Sequence, residues 1–222
     1  MIEVHDDVVR FENRKAVALL AFLTISRQAQ SREKIAAFLW PDIEQSLAAL
    51  RTSLWELRKK LGDQYLVTTN QDIALAVDNG FSSDIFDFTS LIQASSKSTL
   101  ELSRRIEMLQ QAVNLYQDDF MVGFSLRDSA EYDDWQSTQT AYFQRLQQRA
   151  LVDLTALYER NGDDYSAIQT AERLRFMDRL AQEPVEMLMR LYLKAGQRQS
   201  CHRLYEEYTA ELQQPIFILG EK

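Results

Sequence analysis

Residues 44–62, EQSLAALRTSLWELRKKLG, set leucine at positions 47, 50, 54, 57 and 61. Steps of three and four residues put all five side chains on one narrow stripe of a helix. The stretch therefore predicts a helix from about Glu44 to Leu61 with Leu47, Leu50, Leu54, Leu57 and Leu61 turned inward. Gly62 supplies its C-terminal stop. Arg58, Lys59 and Lys60 fill the last turn, where cations meet the negative end of the helix dipole.

Working back from this helix, two shorter ones are expected. Ala16, Leu19, Leu20, Leu23 and Ile25 form one apolar face, preceded by a short candidate strand at Val8-Val9-Arg10-Phe11. Ser31 reads as the N-cap of a second helix carrying Ile35, Phe38 and Leu39. Trp40-Pro41 ends that helix, because a residue before proline disfavours helical backbone. Working forward, Tyr65–Thr69 and Ile73–Val77 flank the polar Asn70-Gln71-Asp72 and predict a β-hairpin. Helix, helix, long helix, hairpin is the order of a winged helix–turn–helix, in which the third helix enters the major groove and the hairpin is the wing.

Asn79-Gly80 marks the expected boundary, giving a winged helix over 1–80 and a helical domain over 81–222. The helical period dominates from Ser83, with helices expected at about 84–94, 99–117, 129–161, 164–180, 184–195 and 198–212. Asp128-Ser129 can cap the long one, whose inward stripe is expected to be Trp135, Tyr142, Leu146, Ala150, Leu154 and Leu157. Residues 154–172 repeat as 188–206 at an offset of 34: Leu154/Leu188, Leu157/Leu191, Tyr158/Tyr192, Gly162/Gly196, Ser166/Ser200 and Glu172/Glu206 are identical, and Ala167/Cys201 is a similar small pair. That period is the tetratricopeptide helical hairpin, with glycine at the turn and a small residue where the second helix closes on the first. The fold class expected is thus mainly α: a winged helix–turn–helix with a small β-hairpin wing, followed by tetratricopeptide-like helices.

The 222 residues carry 25 Lys/Arg and 33 Asp/Glu, a net charge of −8. The load is uneven: residues 1–80 hold 10 basic and 11 acidic residues (−1), leaving 15 and 22 (−7) for residues 81–222. A near-neutral first part can still present a basic face to phosphates, since the local field governs contact. No apolar run approaches the roughly 18 residues that span a bilayer. The opening Met1–Asp7 lacks the basic-then-apolar build of a secretion signal, so a cytoplasmic setting without membrane attachment is expected.

Little in the chain points to catalysis. It has no glycine-rich phosphate loop, one cysteine (Cys201) and two histidines (His5 and His202). Cys201 and His202 are adjacent, and neighbours on a helix do not face each other. Cys201 reads as a packing residue of the repeat. The doublets Asp118-Asp119, Asp133-Asp134 and Asp163-Asp164 read as helix-end residues, and Met187 and Met189 as core fillers. No enzymatic activity, metal or cofactor is expected. The informative constellation is the outer face of the helix at 44–61, where Arg51, Thr52, Trp55, Arg58 and Lys59 gather. Arginine reads guanine bidentately or clamps phosphate, and threonine contacts phosphate or a thymine methyl. Asn70 and Gln71 at the wing tip complete the candidate DNA-binding set. A solvated helix face, with Glu44 and Glu56 repelling phosphate, is the competing reading.

Several runs resemble one family. Arg14-Lys15-Ala16 through Leu23, Ser31-Arg32-Glu33-Lys34-Ile35-Ala36, Leu39-Trp40-Pro41-Asp42 and Leu50-Arg51 through Gly62 resemble the OmpR-like winged helix of bacterial SARP-type transcriptional regulators. Ala112–Phe124, Ala130-Glu131-Tyr132-Asp133-Asp134-Trp135 and the Gly162 and Gly196 hairpins resemble the bacterial transcriptional activator domain that follows it. The resemblance covers about residues 8–212. It implies binding to double-stranded promoter DNA, contact with RNA polymerase, and a helical domain used for protein contacts or homodimerisation. It also implies a fuller N-terminal sheet with a Leu-Gly-rich strand, so that this chain reads as N-terminally truncated or reduced. Where the family usually carries Arg and Asn on the recognition helix, this chain has Leu47 and Ala49. The alternative expectation is a protein-interaction module whose winged helix no longer binds DNA.

Overall fold

A computed structural model of the chain describes residues 3–4, 7–76 and 81–213. Val77 of the expected second hairpin strand and the Asn79-Gly80 boundary lie outside the described residues. The described residues fall into two compact units, one made of those up to Asp87 together with 118–143 and the other of 88–117 together with those from Gln144 on.

The first unit opens with β1 (Glu3–Val4) paired antiparallel to β2 (Asp7–Val8). Of the expected strand at Val8–Phe11, only Val8 pairs. Three helices follow: α1 (Arg14–Ser26), α2 (Arg32–Leu39) and α3 (Ser46–Leu61). Asn13 caps α1 by accepting the Lys15 amide (2.9 Å) while donating to the buried Ser53 hydroxyl (3.0 Å). The Glu56 carboxylate accepts the Glu12 amide at 3.0 Å, a second tie between the start of α1 and α3. Strands β4 (Leu66–Thr68) and β5 (Asp72–Leu75) form the expected hairpin, in register Leu66↔Leu75, Val67↔Ala74 and Thr68↔Ile73. A two-residue strand, β3 (Gln30–Ser31), pairs with the other edge of β5, giving the antiparallel order β3-β5-β4. Ser31 does occupy the N-cap position of α2, but its hydroxyl makes no capping bond. The segment is held through the sheet instead, and the next amide, that of Arg32, donates to the Gln71 carbonyl (2.8 Å).

The core of this unit gathers Leu19, Leu23, Ile35, Leu39, Leu50, Leu54, Leu57 and Ile73. Leu126 and Tyr132, from the far segment 118–143, belong to the same core. Phe22, Phe38, Phe124 and Trp135 edge it with tilted and T-shaped ring contacts, the arrangement aromatic quadrupoles favour. The Ser129 hydroxyl donates to the Phe38 carbonyl (2.8 Å) at the end of α2 and accepts the Tyr132 amide (3.4 Å). It thus caps α6 (Ala130–Asn161) as expected. Asp128, its expected co-cap, pairs with Lys15 instead.

The second unit contains most of α4 (Asp84–Ser95), then α5 (Leu102–Leu115), the later residues of α6, α7 (Asp164–Met177), α8 (Gln182–Lys194) and α9 (Arg198–Gln213). The 34-residue repeat persists in its hydrogen bonds. Asp163 N–H donates to Tyr158 O (3.0 Å), and Gln197 N–H to Tyr192 O (2.7 Å). Gly162 N–H donates to Glu159 O, and Gly196 N–H to Leu193 O. Both glycines are left-handed, at φ +76° and +73°, a region that costs other L-residues. Ala167 and Cys201 are both buried where the helices close. The inward stripe of α6 departs from expectation. Phe143 is buried while Tyr142 is 45% exposed, because over a long helix the 3.6-residue period moves the buried line by one position. Met187 and Met189 pack against the core, and His202 is exposed beside Glu206.

Candidate nucleic-acid interface

Helix α3 buries Leu50, Ser53, Leu54, Leu57 and Leu61 and turns Arg51, Thr52, Trp55 and Lys59 to the outside. The helix begins at Ser46 rather than Glu44, and Leu47 is not part of the core: it is 41% exposed. In the first turn the stripe has run past the hydrophobic layer. Leu47 instead lines a cleft of about 440 Å³ with Ser31, Arg32, Arg51, Asn70 and Gln71.

That cleft lies where the start of α2, the start of α3 and the wing tip converge. The tip is a tight turn in which the Thr69 amide donates to the Asp72 carbonyl (2.9 Å). The Thr69 hydroxyl accepts the amides of Gln71 (3.2 Å) and Asp72 (2.9 Å). Arg32 reaches across from α2, its Nε donating to the Thr69 carbonyl (2.9 Å). These bonds hold Asn70 and Gln71 exposed at the tip. Glu33 and Asp72 also border the cleft, so its charge is mixed.

The expected site residues differ in their freedom. Arg51 is exposed and has no ion pair or hydrogen bond among the described residues. Thr52 is exposed, with its hydroxyl turned back to the Ala48 carbonyl (3.3 Å). Trp55 is 61% exposed, and the Lys59 ammonium sits 4.9 Å from its ring centroid, a cation–π contact one helical turn apart. Arg58 is engaged: Nη2 donates to the Thr68 hydroxyl on β4 and Nε lies 3.4 Å from Asp63. It fastens the wing to α3. Glu56 is turned toward the start of α1 and pairs with neither Arg51 nor Arg58. Of the residues lining the cleft, Ser31, Arg32, Glu33, Leu47 and Asp72 were not among the expected site residues. Arg32 had no periodic signal, and Leu47 carried the signal of a core residue.

Among the described residues there is no group of three or more His, Cys, Asp or Glu placed to hold a metal ion. None of the described helices is long and apolar enough to cross a membrane.

A mainly helical chain with a winged helix–turn–helix and tetratricopeptide-like hairpins has the architecture of a bacterial transcriptional regulator. The sequence pattern of the bacterial transcriptional activator domain matches residues 83–216, more than half of the chain, and the chain belongs to that family. The family is one of transcriptional regulators rather than enzymes, in agreement with the SARP-type resemblance of the sequence. Among solved structures, the chain is similar to Mycobacterium tuberculosis EmbR in complex with a low-affinity phosphopeptide, with a TM-score of 0.69 and 17% identity. The match covers 95% of this chain and 56% of the EmbR chain, and at that identity it speaks for the fold. No curated protein sequence matches significantly.

Proposed function

We propose that this chain is a transcriptional activator that contacts double-stranded promoter DNA through its winged helix and protein partners through its helical repeats. The carrying observation is Arg51. It is a guanidinium without a partner among the described residues, central on the outer face of α3 and beside the wing tip. In this reading α3 enters the major groove with Arg51, Thr52, Trp55 and Lys59 toward the bases and phosphates. Arg58 holds the wing in place at the edge of the contact, and Asn70 and Gln71 meet a neighbouring phosphate. As modules along the chain, we assign 1–80 to the winged helix and 81–222 to the activator domain, although the compact units cross that division. The acidic repeats expose Tyr165, Phe176 and Tyr205, side chains suited to a protein surface such as RNA polymerase or a second copy of the chain. Such an activator works in the bacterial cytoplasm.

Fluorescence anisotropy with duplex DNA at a series of salt concentrations tests this. Kd should rise steeply with salt as phosphate contacts release counterions. Arg51→Ala should weaken binding by about 1–3 kcal/mol. Absence of any sequence preference at moderate salt, or indifference to Arg51→Ala, would sink the DNA reading. The second reading, a protein-interaction module, would then stand. It is favoured by the exposed apolar Leu47 and Trp55 on the same face and by the acidic chain.

A further inference from the structure

We infer that Leu47 is a specificity-determining residue that reads the C5-methyl of a thymine within about two base pairs of the base contacted by Arg51; this rests on the DNA reading above. Leu47 is an exposed leucine in the first turn of α3, one helical turn before Arg51, and both line the cleft below the wing tip. Residues at i and i+4 stand about 6 Å apart on a helix surface, a separation comparable to two base steps of about 3.4 Å each. A branched alkyl group cannot hydrogen-bond a base edge. The feature of the major groove it can recognise is the thymine methyl, which is apolar. Ala48 beside it is also exposed and presents only a methyl group, which extends the apolar surface offered by Leu47. The unpartnered Arg51 supplies the complementary demand, a guanine with its two acceptors. The pair Leu47/Arg51 therefore selects sites in which thymine and guanine lie close together on the groove floor.

The experiment uses the full chain. A duplex selected from random sequence by binding to the wild-type protein is rebuilt with each thymine replaced in turn by uracil, which removes the methyl and leaves the hydrogen-bonding edge intact. At one thymine near the Arg51-dependent guanine, uracil should raise the wild-type Kd by about fourfold, the value of one buried methyl group. Leu47→Ala should bind the thymine and uracil duplexes equally, with an unchanged circular dichroism spectrum. Sequence-specific binding with no uracil-sensitive position, or sensitivity that survives Leu47→Ala, overturns the assignment while leaving the DNA reading intact. Failure to select any sequence overturns both.

Discussion

The Lys15 ammonium lies 2.8 Å from a carboxylate oxygen of Asp128 and also donates to the carbonyl of Leu39, joining α1, the end of α2 and the segment before α6 within one compact unit. Lys15 is buried, whereas the Asp128 side chain is 61% exposed. The two ends of the contact therefore differ in worth. Lys15→Met removes the donor to a carbonyl inside the unit and should cost about 1–3 kcal/mol of stability. Asp128→Asn weakens a solvent-screened pair and should cost less than about 1 kcal/mol. The hydrogen bond from Lys15, with the attraction of its charge, holds the Asp128 carboxyl below its ordinary value despite some desolvation. A depressed carboxyl contributes stability above its unfolded-state pKa, and that contribution is lost as pH falls through the folded value. The gap between wild type and Asp128→Asn should thus be constant near neutrality and close below about pH 4. Urea titrations at several pH values check both statements, and a gap that widens on acidification would contradict them.

Trp55 and Arg58 sit on the same helix but should separate cleanly in experiment. Trp55 is mostly exposed and touches Lys59, so Trp55→Ala should shift stability by less than about 0.5 kcal/mol while weakening DNA binding. Arg58→Ala releases Thr68 and Asp63 and should lower stability by roughly 1–2 kcal/mol as well as binding. Thermal unfolding beside anisotropy distinguishes them. A Trp55→Ala protein that loses stability first would mean the ring is packing rather than reading.

The two turn glycines predict a matched pair of effects. A Cβ at Gly162 or Gly196 would meet nothing within 4 Å, so the cost of substitution is conformational alone. Gly162→Ala and Gly196→Ala should each lose about 1–2 kcal/mol, the penalty of a left-handed alanine. The asparagine variants should lose less, since Asn tolerates that region. Chemical denaturation of the four variants checks this. An Ala variant equal to wild type would show that the turn can rearrange.

Leu126 lies far along the chain from the wing but is only 3% exposed in the core that contains Leu50 and Ile73. Leu126→Ala should destabilise the winged-helix unit by about 2–5 kcal/mol and reduce DNA binding with it. Hydrogen exchange should show α1 to α3 losing protection. If only amides of 118–143 respond, the segment is an appendage rather than part of that core.

Most of the architecture could be read from periodicity. The α3 stripe from Leu50 to Leu61, the breaks at Pro41 and Gly62 and the 34-residue repeat are local signals with direct physical causes. What escaped has causes too. Gln30-Ser31 is a strand only because β5 is beside it, and two polar residues carry no alternation to detect. Leu47 continues the leucine spacing but lies where no hydrophobic layer faces it. Tyr142 and Phe143 are adjacent aromatics, and only the drift of a long helix decides which is inward. The attachment of residues 118–143 to the first unit is wholly non-local. In the candidate site, residue types were legible, but the tethering of Arg58 depends on Asp63 after the helix and on Thr68, which the folded hairpin brings back to it.

The hydrogen bond from Ser129 to Phe38 spans 91 positions of the chain. During synthesis the first three helices and the hairpin leave the ribosome long before Leu126, Ser129 and Tyr132 exist to cover them. Contacts at such separation must be reached after the loop between them has closed, which slows folding. At about 5–20 residues per second, the nascent winged helix therefore waits several seconds with Phe22 and Phe38 lacking their Tyr132 and Trp135 neighbours. The winged helix matures only once the opening turns of the activator domain's long helix have been made.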